Sequence, residues 1–229
     1  MPVPTMPRPR LLASLPLLSL FILAGCTTTL PKVDGAKYGP FFQPKNFQAI
    51  ERMPADVRRV AVLPIADDGS HQEEALAPLD TSVIKALSLA ARFESVQISR
   101  EECGRITHSR SIRSVDVLPH DFLERIASTT GADAILFIDL THYSPYAPLN
   151  LGIRAKLVRI SDCSVIWAID QTFSAANPSV ANSARRHWLK AEPPDTPVDM
   201  STTALQSPSR FADYVLSASF GTLPPRQKP

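Results

Sequence analysis

The sequence predicts an α/β protein: a three-layer sandwich in which a mixed sheet of about five strands carries helices on both faces. Three observations predict it. The runs "RRVAVLPI" (58–65) and "ADAILFIDLTHY" (132–143) are nearly unbroken apolar stretches, as expected of strands buried on both faces. Segments of helical period separate the first strands, so these must pair in parallel through right-handed crossovers. Two further apolar segments, 151–160 and 164–173, are joined by the short polar turn Ser161-Asp162-Cys163, which is hairpin spacing. The first three strands are therefore parallel and the last two antiparallel.

Ahead of the domain, Leu11 to Gly25 is apolar apart from two serines and follows Arg8 and Arg10. At about 1.5 Å per helical residue it reaches some 22 Å, short of a roughly 30 Å hydrocarbon core. Basic, apolar and small residues in that order form an export signal, and Pro16 suits a signal better than a stable helix. Leu23-Ala24-Gly25-Cys26 resembles the bacterial lipoprotein signal, which implies cleavage of residues 1–25 and diacylglycerol and palmitate-type acylation of Cys26. Several acyl chains on one residue hold a protein permanently on a membrane. Thr27, where inner-membrane retention favours Asp, implies the outer membrane, facing the periplasm.

Residues 26–57, with prolines at 31, 40, 44 and 54 and no sustained period, read as a lipidated tether. Its Tyr38, Phe41, Phe42 and Phe47 dock either on the parent domain or on a neighbouring subunit. A single domain is expected over 58–221. After the first strand, Ser70 with Glu73 spells a capping box, and Leu76, Leu79, Val83, Ile84 and Leu87 recur at helical spacing. Pro78 lies inside that span, so regular helix is expected to begin there. A second strand follows at 93–99, and the Arg/Ser-rich stretch 100–118 reads as a loop. Pro119 opens a helix bearing Phe122, Leu123 and Ile126, which Gly131 closes as a left-handed cap. The strand at 132–143 is the most apolar and hence central. A helix over 178–190 carries Val180, Ala184 and Trp188, and after a Pro-rich break Ser207-Pro208 caps a last helix with Phe211, Val215 and Ala218. Residues 222–229 read as a disordered tail.

"RRVAVLPI", "GADAILFIDL" and "LGIRAKLVRISDCSVIWAID" together resemble a group of periplasmic lipoproteins: the curli secretion channel, the Pel polysaccharide export lipoprotein and the outer-membrane activators of peptidoglycan synthases. The N-terminal domain of the Tol translocation protein shares their fold. The resemblance spans about residues 58–190 and rests on core strands and a Gly-Ala-Asp before the third strand. It implies a lipid-anchored envelope protein with an envelope protein partner, self-associating in some members. Two departures stand out. The 144–150 connection is too short to hold the membrane-inserted hairpins of a curli-type pore, and the usual Thr-Gly turn is here Cys163-Ser164.

The charge balance excludes an electrostatic nucleic-acid binder. Loss of two arginines and no acid with residues 1–25 leaves equal numbers of basic and acidic residues among the remaining 204. Cys103 and Cys163 fall at opposite ends of the predicted sheet. A strand of eight residues spans about 26 Å, whereas disulfide Cα atoms lie within about 7 Å, so both are expected unpaired. No nucleophile elbow, zinc-protease helix or phosphate loop is present, and His108, His120 and His187 stand alone. No catalytic residue, metal or cofactor is therefore expected. Asp67, Asp68, His71 and His142, at the carboxyl ends of the parallel strands, are the candidate ligand residues, with turn formation by Asp67-Asp68-Gly69 as the competing role. Tyr143 and Tyr146 on "HYSPYAPL", and Arg185 and Arg186 beside His187 and Trp188, are the candidate partner-binding residues. The expected function is that of a non-catalytic adaptor or assembly factor of the envelope, with an exporter subunit or a ligand-binding or hydrolytic envelope protein as alternatives.

Overall fold

A computed structural model describes residue 2 and residues 34–191 and 201–226. Cys26, the apolar run and the Pro-rich break after 191 lie outside these residues. One mixed sheet of six strands forms in the order β1-β6-β5-β4-β2-β3. The strands are β1 Phe47–Ala49, β2 Arg59–Val62, β3 Glu94–Gln97, β4 Ala134–Ser144, β5 Asn150–Arg159 and β6 Val165–Ser174. β2 pairs in parallel with both β3 and β4, while β4, β5, β6 and β1 pair antiparallel.

Side-chain alternation divides the sheet into two cores. Val60 and Val62 of β2, with Leu136 and Ile138 of β4, face α2 Glu73–Ala90, α5 Pro178–Ala191 and α6 Pro208–Phe220. Ala61, Ile135 and Phe137 face the opposite way, against α3 Arg100–Thr107 and α4 Phe122–Thr130. The α/β sandwich with helices on both faces is thus formed, with one strand more than expected. That strand is β1, and its backbone runs alongside Trp167 to Ile169 of β6.

The Gly-Ala-Asp motif acts as a register pin. A single Asp133 carboxylate oxygen accepts the Arg58 and Arg59 N–H groups at 2.9 Å each, while the Asp133 N–H returns a bond to the Arg59 carbonyl. Gly131 takes φ +64° as the C-cap of α4. At the far end of β2 the ladder is replaced by side chains. Asp80 of α2 accepts the Ile65 N–H at 2.8 Å, and Arg100 of α3 donates to the Ile65 carbonyl at 2.9 Å and to Asp80 at 3.0 Å.

Several expectations need correction. α2 begins at Glu73 after Gln72, which makes no side-chain cap, because Ser70 is engaged with His71 instead. The helix runs through Pro78, which lies on an exposed face where the carbonyl one turn earlier can bond water. The 100–118 stretch is not all loop: α3 occupies its first eight residues, capped by Ser99, whose hydroxyl accepts the Glu102 N–H at 3.1 Å. Residues 34–57, part of the segment read as a tether, are docked. They belong to the same compact unit as the sheet, through α1 Gly35–Tyr38, β1 and the fully buried Val57. Residues 222–226 also pack: Leu223 is buried, the Thr222 hydroxyl accepts from the Trp167 indole, and Arg226 donates to the Arg92 and Val57 carbonyls. Both cysteines are free, Cys103 wholly buried against the second core and Cys163 exposed in the β5–β6 turn at φ 58°.

Candidate functional site

The carboxyl ends of β2 and β4 meet where Ala66 bridges Asp139. Immediately beyond, the two predicted acids fold onto their own loop. Asp67 accepts the Gly69 N–H at 3.1 Å, the His71 N–H at 2.9 Å and the His71 ring Nδ1 at 2.9 Å. Asp68 accepts the Ser70 N–H at 3.1 Å. Burial pushes the Asp67 carboxyl up, but the hydrogen bonds from His71 and the Gly69 and His71 amides together outweigh it and hold the group below its ordinary value. Hydrogen bonding to Ser70 does the same for the fully exposed Asp68. The His71 ring packs edge-on to Tyr143 with centroids 5.6 Å apart. Asp67, His71 and Tyr143 are thus brought together. His142 is not among them, because it precedes Tyr143 on the alternate face of β4 and is exposed beside Gly152.

A cleft of about 250 Å³ opens beside these acids, lined by Arg113, Asp139 and Arg154. Sequence reading missed Asp139, although a lone carboxylate in the apolar run "AILFIDL" was a visible signal. It is only 4% exposed and accepts both the Ser114 N–H at 2.8 Å and the Ser114 hydroxyl at 2.6 Å. The Ser114 carbonyl in turn accepts from Lys156 at 3.0 Å. Arg113 is matched by Asp116 and Arg154 by Asp170, each at 2.8 Å. An incoming charged group must therefore break a pair already made, so this corner clasps the 108–121 connection to the sheet. Among the described residues no group of three or more His, Cys, Asp or Glu could hold a metal ion.

The partner candidates divide in the same way. Tyr143 folds onto the first core, and burial raises its phenol above the ordinary value, while Tyr146 projects from the β4–β5 loop at 80% exposure. Arg185 and Arg186 of α5 hold this chain's own N-terminal segment. Arg185 pairs with Asp34 at 2.9 Å, and the Arg186 guanidinium lies 4.1 Å from the centre of the Phe41 ring. Next along, the Phe42 N–H donates to the Ser183 hydroxyl at 2.8 Å and its ring meets Phe173 edge-on at 5.3 Å. Of the two docking partners open to the aromatic segment, Phe41 and Phe42 take the parent domain, whereas Tyr38 stays 76% exposed. Trp188 is held between Arg210 at 4.7 Å and Lys85 at 5.5 Å, and its indole donates to the Arg210 carbonyl.

No protein-family model and no curated protein matches this chain. Solved structures do. The chain is similar to PelC of Paraburkholderia phytofirmans, described as a dodecamer, at 13% identity over 79% of this chain and 98% of that one, with a TM-score of 0.47. It is similar to the C-terminal domain of LpoB from Escherichia coli at 15% identity, over 52% of this chain and 83% of that one, with a TM-score of 0.35. A lipoprotein of Neisseria meningitidis matches at 16% identity over 51% and 79% of the respective chains, with a TM-score of 0.37.

Proposed function

We propose that the chain is a lipid-anchored protein of the bacterial cell envelope that works without catalysis, as an adaptor or assembly factor. One observation carries this reading: Leu23-Ala24-Gly25-Cys26 closing a basic, apolar and small-residue segment of signal length. Cys26 receives the acyl chains, and Thr27 directs the protein to the outer membrane, facing the periplasm. Holding a folded domain near one leaflet raises its effective concentration toward membrane- or wall-bound partners without any new contact.

The state of the polar residues supports the non-catalytic part. The acids at the strand ends are occupied by their own loop, and the buried Asp139 holds Ser114. Partner contact is assigned to Tyr146 and its proline-flanked loop, where a large aromatic stands in solvent on the short connection between β4 and β5. Self-association is part of the proposal. Chemical cross-linking of native envelopes, followed by solubilisation in mild detergent, tests it. The expected result is one or more defined higher-mass species that are lost on Tyr146→Ala. A protein recovered wholly as an uncross-linked monomer contradicts it.

A further inference from the structure

Between α5, α6 and the docked N-terminal segment runs an open groove of about 400 Å³, distinct from the cleft at Asp139. Its α5 wall carries Arg186 and Lys190, four residues apart and so on one helix face. Elsewhere on the molecule many basic side chains meet acids: Arg59, Lys85, Arg100, Arg110, Arg125 and Arg154 each have a carboxylate within 4 Å. Neither Arg186 nor Lys190 has one among the described residues. Like charges at this spacing repel, and no carboxylate of the described residues lies within 4 Å to relieve them. The guanidinium carbon of Arg186 lies over the Phe41 ring, a contact that uses none of its N–H donors as hydrogen bonds.

The opposite wall contributes a second, independent feature. Tyr214 of α6 lines the groove, is only 4% exposed, and its buried hydroxyl has no hydrogen-bond partner. Ser183 lies beside it, but its hydroxyl already accepts the Phe42 N–H, and no bond of ordinary geometry joins the two. A buried phenol without an acceptor carries a free-energy penalty that an acceptor in the groove would remove. His187 completes the wall between Tyr214 and Trp188, its ring edge-on to both. Burial holds its imidazole below the ordinary value, and so in the neutral form that can also donate a single N–H.

We infer that this groove binds a phosphate monoester group, with Arg186 and Lys190 supplying the charge and Tyr214 a buried hydroxyl donor. Two cations match a group carrying a charge between about −1.5 and −2 better than they match one carboxylate, and a phosphate oxygen can accept the phenol proton without displacing any ion pair. The aromatic floor of Phe41 and Phe42 suits a phosphate borne by an apolar molecule. The source is therefore either a lipid headgroup or a soluble phosphate. The inference does not depend on Cys26.

Isothermal calorimetry on the full-length protein in mild detergent tests it, with chloride holding the ionic strength constant. One arm uses inorganic phosphate; the other uses dihexanoyl phosphatidic acid below its micelle concentration, with dihexanoyl phosphatidylcholine as control. Saturable binding of inorganic phosphate assigns a soluble source, and saturable binding of phosphatidic acid alone assigns a lipid source. Tyr214→Phe is expected to weaken binding about tenfold, the loss of a hydrogen bond to a charged group. Lys190→Gln, at an exposed position of α5, is expected to weaken it about threefold with an unchanged melting temperature. No saturable binding in either arm, or unchanged affinity in both variants, overturns the inference.

Discussion

Asp80 and Arg100 are the residues on which the end of β2 most depends, since between them they serve both the N–H and the carbonyl of Ile65. Burial pushes the Asp80 carboxyl up, against the Ile65 N–H and Arg100, which pull it down. A carboxyl raised on folding holds its proton more tightly in the native state, so its contribution to stability grows as pH falls and is absent at neutral pH. Arg100→Met is expected to cost about 3–5 kcal/mol at pH 7, because it strands a carboxylate that is 13% exposed. The loss should shrink at pH 5 as that carboxyl takes up a proton. Urea denaturation of both proteins at the two pH values measures this, and an equal loss at both would rule out Asp80 as the cause. Gly152 faces the bulge at Leu140/His142, where an added Cβ would stand 2.5 Å from the Thr141 hydroxyl and 3.2 Å from the His142 backbone nitrogen. Gly152→Ala is expected to lower stability by about 1–3 kcal/mol, with the same readout. Such positions differ in how far sequence exposes them. Gly131 advertised its left-handed cap because glycine alone adopts that conformation freely, whereas Ala91, His108 and Cys163 adopt it at φ 51°, 64° and 58° with nothing in their side chains to announce it.

The elements that sequence made legible are those whose apolar pattern is strong. β4 is buried from Ala134 to Leu140, and the hairpin of β5 and β6 follows its polar turn. α3 stayed hidden because "REECGRIT" carries almost no apolar stripe, although Ser99 and Glu102 spell the same capping signature that was read at Ser70 and Glu73. At Ser99 the cap forms; at Ser70 the hydroxyl is drawn to His71. β1 was illegible for a different reason. Three residues hold no period, and the partners that order the segment, Phe173, Ser183, Arg185 and Arg186, lie more than 100 residues away. Removing one of them tests whether the segment is held by side chains as described. Phe42→Ala is expected to speed amide exchange over residues 36–49 about tenfold while β4, β5 and β6 keep their protection. A uniform rise across the sheet would mean that the segment is integral to the global fold instead.

At the scale of the whole molecule, the chain carries a net charge of only +2, and its polar groups are mostly engaged within the fold. Its charges are largely spent on one another, its strand-end acids on their own turns, and its N-terminal segment on α5. Among the described residues no helix is long and apolar enough to cross a membrane. Membrane attachment in the proposed function rests on a single covalent event at Cys26. The most direct test is the intact mass of the full-length protein made in its native host and extracted from envelopes. The account predicts an N-terminus at residue 26 carrying the added mass of a diacylglycerol and an amide-linked acyl chain, and partition into the detergent phase. A chain whose Cys26 keeps a free thiol and which is recovered from the soluble periplasm would contradict it.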